Sequence, residues 1–119
     1  MSTGSFLKNT SKGIYCTAGD FYIDPRRPVH KAVITHAHSD HAVAGSQEVY
    51  CTRTTAEFMR IKFRNKAAFR FHLKEAENKF RISGVEMMFL HAGHILGSVQ
   101  ILLFHENKKY LFTGDFKLQ

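Results

Sequence analysis

The stretch T-H-A-H-S-D-H at 35–41 follows directly on the apolar run K-A-V-I at 31–34. Three imidazoles and a carboxylate in seven positions exceed what a strand end needs for folding. In an extended segment, residues two apart project to the same side. His36 and His38 therefore aim at one point just beyond the strand, and Asp40 and His41 approach that point where the chain turns. Neutral imidazole with carboxylate is a ligand set for zinc, manganese or iron(II). The absence of thiolates among the donors marks a catalytic rather than a structural site, because such sites keep a position open for water. Four donors this close suit two ions better than one.

Two further strand ends carry the same kind of group. The run V-E-M-M-F-L (85–90) leads into His91-Ala92-Gly93-His94 and then Ile95-Leu96-Gly97-Ser98. The run Y-L-F (110–112) leads into Thr113-Gly114-Asp115. In each case a polar donor follows an apolar strand and a glycine, which lets the backbone approach closely. His94 and Asp115 are the candidate donors, and His91 is read as peripheral.

Working outward, the chain reads as short strands with one helix. Residues 13–17 and 21–24 form two strands around a turn at Ala18-Gly19-Asp20, and Asp24-Pro25 breaks the pattern. Residues 31–36 and 48–52 are further strands. Between them Asp40 caps a very short helix that Gly45 ends. Thr54 to Asn65 has helical period, with Thr54 and Glu57 at capping-box spacing and Ala56, Met59 and Phe63 on one face. Residues 79–82 and 85–90 make a hairpin at Ser83-Gly84, and 98–115 a second one turning at Glu106-Asn107. The fold class is a strand-rich α/β or α+β domain.

The chain has 119 residues, enough for one small domain, and 44% of them are hydrophobic, which argues against disorder. No run approaches a membrane span, and the opening residues lack the apolar segment of a secretory signal. Cys16 and Cys51 stand alone, which points to reduced, half-buried thiols and a cytoplasmic setting. The formal net charge of +7 favours a polyanionic partner. Arg60, Lys62, Arg64 and Lys66 fall at i,i+4 spacing on the expected helix, where they either track a phosphate backbone or form a solvated face. Phe69 and Phe71 alternate with Arg70 and His72; core packing is the expectation for both rings, with base stacking the alternative.

H-x-H-x-D-H at 36–41, A-G-H-x-L-G-S at 92–98 and T-G-D at 113–115 together resemble the ordered metal motifs of the metallo-β-lactamase superfamily. The G-H-x-L-G-S form is similar to that of its β-CASP nucleic-acid-processing branch. Residues 13–42 and the closing T-G-D-F-K resemble bacterial DNA ligase-associated DNA exonucleases. The resemblance implies the N-terminal half of an αββα sandwich, with the C-terminal half and the β-CASP insert absent from 1–119. It implies that this chain supplies one sheet and part of its cover, leaving an apolar face open. It also implies two divalent ions, zinc first and manganese or iron as alternatives. His36, His38 and His94 would hold one ion, Asp40 and His41 the other, and Asp115 would bridge them. His36, His38 and Asp40 would serve catalysis, Asp40 also orienting the hydroxide that attacks phosphorus. Asp24 falls where the superfamily carries a supporting carboxylate, although a turn-forming Asp before Pro explains it equally well.

The activity implied is phosphodiester hydrolysis in DNA by an exonuclease tied to repair and ligation, with a DNA ligase as possible partner. RNA processing is the alternative, and a small-molecule hydrolase of the wider superfamily is a third. A chain that lacks the group closing the second metal position would instead be an inactive metal-binding module.

Overall fold

A computed structural model describes residues 6–36, 42–92, 98–113 and 116–118. Two β-sheets lie face to face with one helix against the first. The first sheet holds, in spatial order, β1 (Leu7–Thr10), β2 (Gly13–Cys16), β3 (Phe21–Ile23), β4 (Lys31–Val33), β5 (Ser46–Cys51) and β6 (Ala68–Leu73). Strands β1 to β3 are antiparallel, whereas β3 to β6 run parallel. Helix α1 (Arg53–Phe63) joins β5 to β6, as a parallel connection requires. The second sheet is antiparallel throughout, in the order β11 (Phe116–Leu118), β10 (Lys108–Phe112), β9 (Val99–His105), β8 (Val85–His91), β7 (Lys79–Ile82).

The alternation in β8 and β9 explains the sandwich. Val85, Met87 and Phe89, and Val99, Ile101 and Leu103, point inward and are buried. They meet Cys16, Phe21, Ile23 and Val33 of the first sheet in one core cluster. The other face of the first sheet (Ala32, Ile34, Val49, Cys51) is covered by Ala56 and Met59 of α1. The expectation of a single sheet was therefore too small, because both inner faces of the sandwich lie within these residues. Among the described residues no helix covers the outer face of the second sheet, where Met88, Leu90, Leu102 and Phe104 are half-buried.

Both hairpin turns fall as read. Ser83, Glu106 and Asn107 take positive φ (49°, 51° and 64°), the conformation tight two-residue connections demand. Strand 31–36 ends earlier, at Val33, and strand 48–52 begins earlier, at Ser46. The sequence reading passed over β1, β6 and β11. Strand β6 was hidden because Arg70 and His72 interrupt its apolar residues on an edge where polar side chains are tolerated. There His72 hydrogen-bonds Glu48 of the neighbouring strand, which holds that carboxyl below its usual range. Phe69 departs from the core expectation at 80% exposed, whereas Phe71 packs on the helix-side cluster beneath the Arg60 guanidinium. Cys16 and Cys51 are wholly buried rather than half-buried, and burial pushes their thiols up to about 11 and about 12.

Helix α1 begins before the expected cap. Thr52 is the N-cap, its hydroxyl accepting from the Thr55 amide at 3.3 Å. The capping pair read at Thr54 and Glu57 lies within the helix, because β5 ends at Cys51 and the chain turns at once. Thr52→Ala is expected to cost about 1 kcal/mol in urea unfolding, and Thr54→Ala much less. Equal losses would contradict this cap. The helix also stops at Phe63. Arg64 has φ 57° and opens a 3-10 turn (Arg64–Lys66), so the expected helix-face pairs, Arg60 with Arg64 and Lys62 with Lys66, are both broken.

Candidate metal centre

The parallel strands β4, β5 and β6 deliver their C-terminal ends to one edge of the first sheet. Open α/β sheets bind ligands at that edge. Beyond β4 come Thr35 and His36. The second sheet brings the end of β8 (His91, Ala92), the start of β9 (Ser98, Val99) and the end of β10 (Phe112, Thr113) to the same place. A cavity of about 540 Å³ is lined by Ile23, Asp24, Thr35, His36, Ala92, Ser98 and Thr113 among others. The described flanks of all three donor motifs thus meet at one cavity. Two backbone hydrogen bonds lock the junction: the Val99 amide donates to the Thr35 carbonyl at 3.0 Å, and the Ala92 amide to the Ser98 carbonyl at 3.2 Å.

Asp24 braces this edge. Its φ of 46° is unusual for a residue with a side chain and is tolerated by Asp. Its amide donates to the Val33 carbonyl at 2.8 Å. Its carboxylate accepts from the Thr35 amide at 2.8 Å and from the Thr35 hydroxyl at 2.7 Å. The Thr35 oxygen also lies 3.1 Å from His36 Nδ1. A threonine hydroxyl has one proton, and here it points to a carboxylate that can only accept. The Thr35 oxygen must therefore accept from His36 Nδ1–H. A neutral imidazole that donates from Nδ1 carries its lone pair on Nε2, the form a metal ligand needs. Asp24 is at once a turn residue before Pro25 and a brace on the motif; the two readings are not exclusive. The threonine link went unread because nothing in the sequence pairs Thr35 with Asp24.

His38, Asp40, His41, His94 and Asp115 lie outside the described residues. Of the short helix expected between Asp40 and Gly45, residues 42–45 are described, and they lead into β5 through a turn instead of a helix. Among the described residues no group of three or more metal-ligating side chains stands together. His91 is exposed at the end of β8, in keeping with its peripheral reading. Asp20 is a turn residue as expected: it has φ 53° and accepts from the Tyr15 hydroxyl at 2.7 Å, which raises that phenol to about 12. The basic residues of α1 and its following turn run away from the site. The helix starts beside the strand ends and descends ~16 Å, so Arg64 and Lys66 sit near the opposite edge.

The residues fit a divalent metal. The donor set is imidazole and carboxylate, His36 turns its Nδ1 to the Thr35 hydroxyl, and both thiols are buried elsewhere.

No family model matches the chain. Solved structures of similar fold include a flavodiiron protein from Giardia intestinalis (TM-score 0.59, 14% identity, 76% of this chain and 29% of that one). A B3 metallo-β-lactamase with an active-site glutamic acid is also similar (TM-score 0.54, 15% identity, 88% of this chain and 53% of that one). The fold is therefore of the metallo-β-lactamase type. Among curated proteins, 117 residues are 36% identical to a probable DNA ligase of Opitutus terrae, covering 92% of this chain and 11% of that one. An RNase J-like protein of Methanocaldococcus jannaschii is 32% identical over 75% of this chain and 26% of its own length. The human DNA cross-link repair 1A protein is 32% identical over 71% of this chain and 8% of its own. The chain belongs to the metallo-β-lactamase superfamily, in its β-CASP branch. It spans about a quarter or less of the length of these three relatives.

Proposed function

We propose that this domain is the N-terminal part of a metal-dependent phosphodiesterase that degrades DNA from an end, in the service of repair and ligation. The observation that carries the reading is the convergence of all three motif flanks on the cavity beside Asp24 and His36. His36, His38 and His94 would hold one ion, Asp40 and His41 a second, and Asp115 would bridge them, with zinc first and manganese or iron as alternatives. When bound, such ions supply an activated water and neutralise charge that develops on the phosphate. The chain itself orients: Asp24 holds Thr35, and Thr35 holds the His36 ring. Asp40 and His38 would contribute to the catalytic set. The names of the relatives from O. terrae and human favour DNA and a ligase as functional partner, and the buried reduced cysteines suit a cytoplasmic setting. RNA is the second reading, favoured by the relative named RNase J-like.

The test offers end-labelled single-stranded DNA and a matched RNA to the purified protein with manganese or zinc, alongside His38→Ala. Stepwise loss of label from DNA by the parent alone supports the reading. Preferential loss from RNA would move it to RNA processing, and no cleavage of either by metal-loaded protein would leave a metal-binding module.

Asp24→Asn tests the brace. It weakens acceptance from the Thr35 hydroxyl and is expected to lower metal affinity about 10–100-fold in a metal titration, with the fold retained. Unchanged affinity would reduce Asp24 to a turn residue.

A further inference from the structure

A second cavity, of about 740 Å³, adjoins the metal cavity and shares Ala92, Ser98 and Val99 with it. Its other walls come from the start of α1 (Thr52, Arg53, Thr54), the β6–β7 connection (Lys74, Glu75, Ala76) and Phe80. Three features of this wall ask for an anion. First, α1 opens here; the Thr52 hydroxyl takes the Thr55 amide, and the Arg53 and Thr54 amides precede any intrahelical acceptor. Second, the charge at that turn is the reverse of the usual arrangement. The first turn contains no acidic residue, and Arg53 occupies the first helical position. A cation at the positive end of a helix dipole is unfavourable. It becomes favourable when both face the same anion. Third, the Ser98 hydroxyl is buried, its residue only 8% exposed, and it has no hydrogen-bond partner among the described residues. It stands in the wall common to both cavities, where a ligand oxygen would satisfy it.

Lys74 adds a second cation, with its ammonium 5.3 Å from the centre of the Phe80 ring. Glu75 is the one acid in the wall, and its carboxylate accepts from the Asn78 amide at 3.3 Å. Lys79 also lines the cavity, but its ammonium lies over the Phe104 ring, on the outer face of the second sheet. The metal cavity presents Asp24 and His36 beside one cation, Arg26, whose guanidinium donates to the Thr10 carbonyl.

Resting on the nuclease reading, we propose that this second cavity is the path of the nucleic-acid strand. A phosphodiester next to the scissile one sits on the α1 N-terminus, between Arg53, Lys74 and Ser98. The strand then approaches the metals from the β5–α1 side. The basic residues at the far end of α1 take no part in this seat.

The test measures anisotropy of a labelled single-stranded DNA in EDTA, so that cleavage plays no part, with salt as the variable. The double variant Arg53→Ala/Lys74→Ala is expected to bind about tenfold more weakly and to lose about 1–2 from the salt slope. The control is Lys108→Ala/Lys109→Ala, which removes the same charge at the β9–β10 turn, the end of the second sheet away from the site. It is expected to bind as the parent does. Arg53→Glu adds a readout of opposite sign: it relieves the conflict with the dipole, so the melting temperature rises while DNA binding falls. Equal losses in both double variants would mean a general charge effect and overturn the seat, as would unaltered binding by Arg53→Glu. A mononucleotide binding as tightly as the oligonucleotide would overturn the path, leaving a single anion seat. If the parent binds no nucleic acid, the nuclease reading itself falls. If the parent binds and Arg53→Ala/Lys74→Ala matches it, only this inference falls.

Discussion

On the proposed nuclease reading, His36→Ala is expected to leave a folded protein whose metal-dependent DNA cleavage has dropped by about 10³-fold or more. The size follows from what a ligand does: losing an ion removes several kcal/mol of stabilisation from a transition state that gathers negative charge, and each ~1.4 kcal/mol is tenfold in rate. The fold should survive, because β4 ends at Val33, before the site, and the Thr35 backbone stays tied to Asp24 and Val99. Metal analysis supplies the check independent of activity, with bound metal expected to fall by about one ion per chain. Thr35→Val separates holding the ring from being the ring. It keeps the imidazole and the branched shape but removes the hydroxyl between Asp24 and His36, and should cost about 10–100-fold in metal affinity. Thr35→Ser should restore most of that. Full activity and full metal content in His36→Ala would remove His36 from the site altogether.

The run leading into the motif at 35–41 was legible because its signal is local: Thr35 and His36 follow β4 onto the cavity, and 37–41 lie outside the described residues. Donors two apart on an extended segment share a direction whatever the rest of the fold does. The hairpins at Ser83-Gly84 and Glu106-Asn107 were legible for a similar reason, since turn residues and alternation lie within one stretch of chain. What stayed hidden depended on neighbours distant in sequence. The bond between Asp24 and Thr35 spans 11 residues and forms only when β3 and β4 pair in parallel. The cap moved from Thr54 to Thr52 because the end of β5, not local propensity, sets where α1 starts. Phe69 looked like core by composition, but β6 is an edge strand, and the ring is left exposed there.

The second sheet shows the same dependence in energetic form, and Phe89→Ala is the change expected to hurt stability most. Phe89 sits mid-strand in β8, fully buried, between β7 and β9. Its ring meets Phe80 edge-on at 5.1 Å, and Phe80 stacks at 6.3 Å on Tyr50 of the first sheet. Truncation would remove the ring from the layer where the two sheets meet. The backbone hydrogen bonds of β8 on both sides oppose collapse into the space, so the transfer loss and the cavity penalty add. A cost of about 3–5 kcal/mol is expected, against the 5–15 kcal/mol typical of a whole domain. In a thermal melt that corresponds to a drop of more than about 10 °C. Phe89→Leu, which refills most of the volume, should recover over half of it. A loss below about 1 kcal/mol for Phe89→Ala would mean that the sheets close over the gap, and that the contact through Phe80 to Tyr50 is not what holds them together.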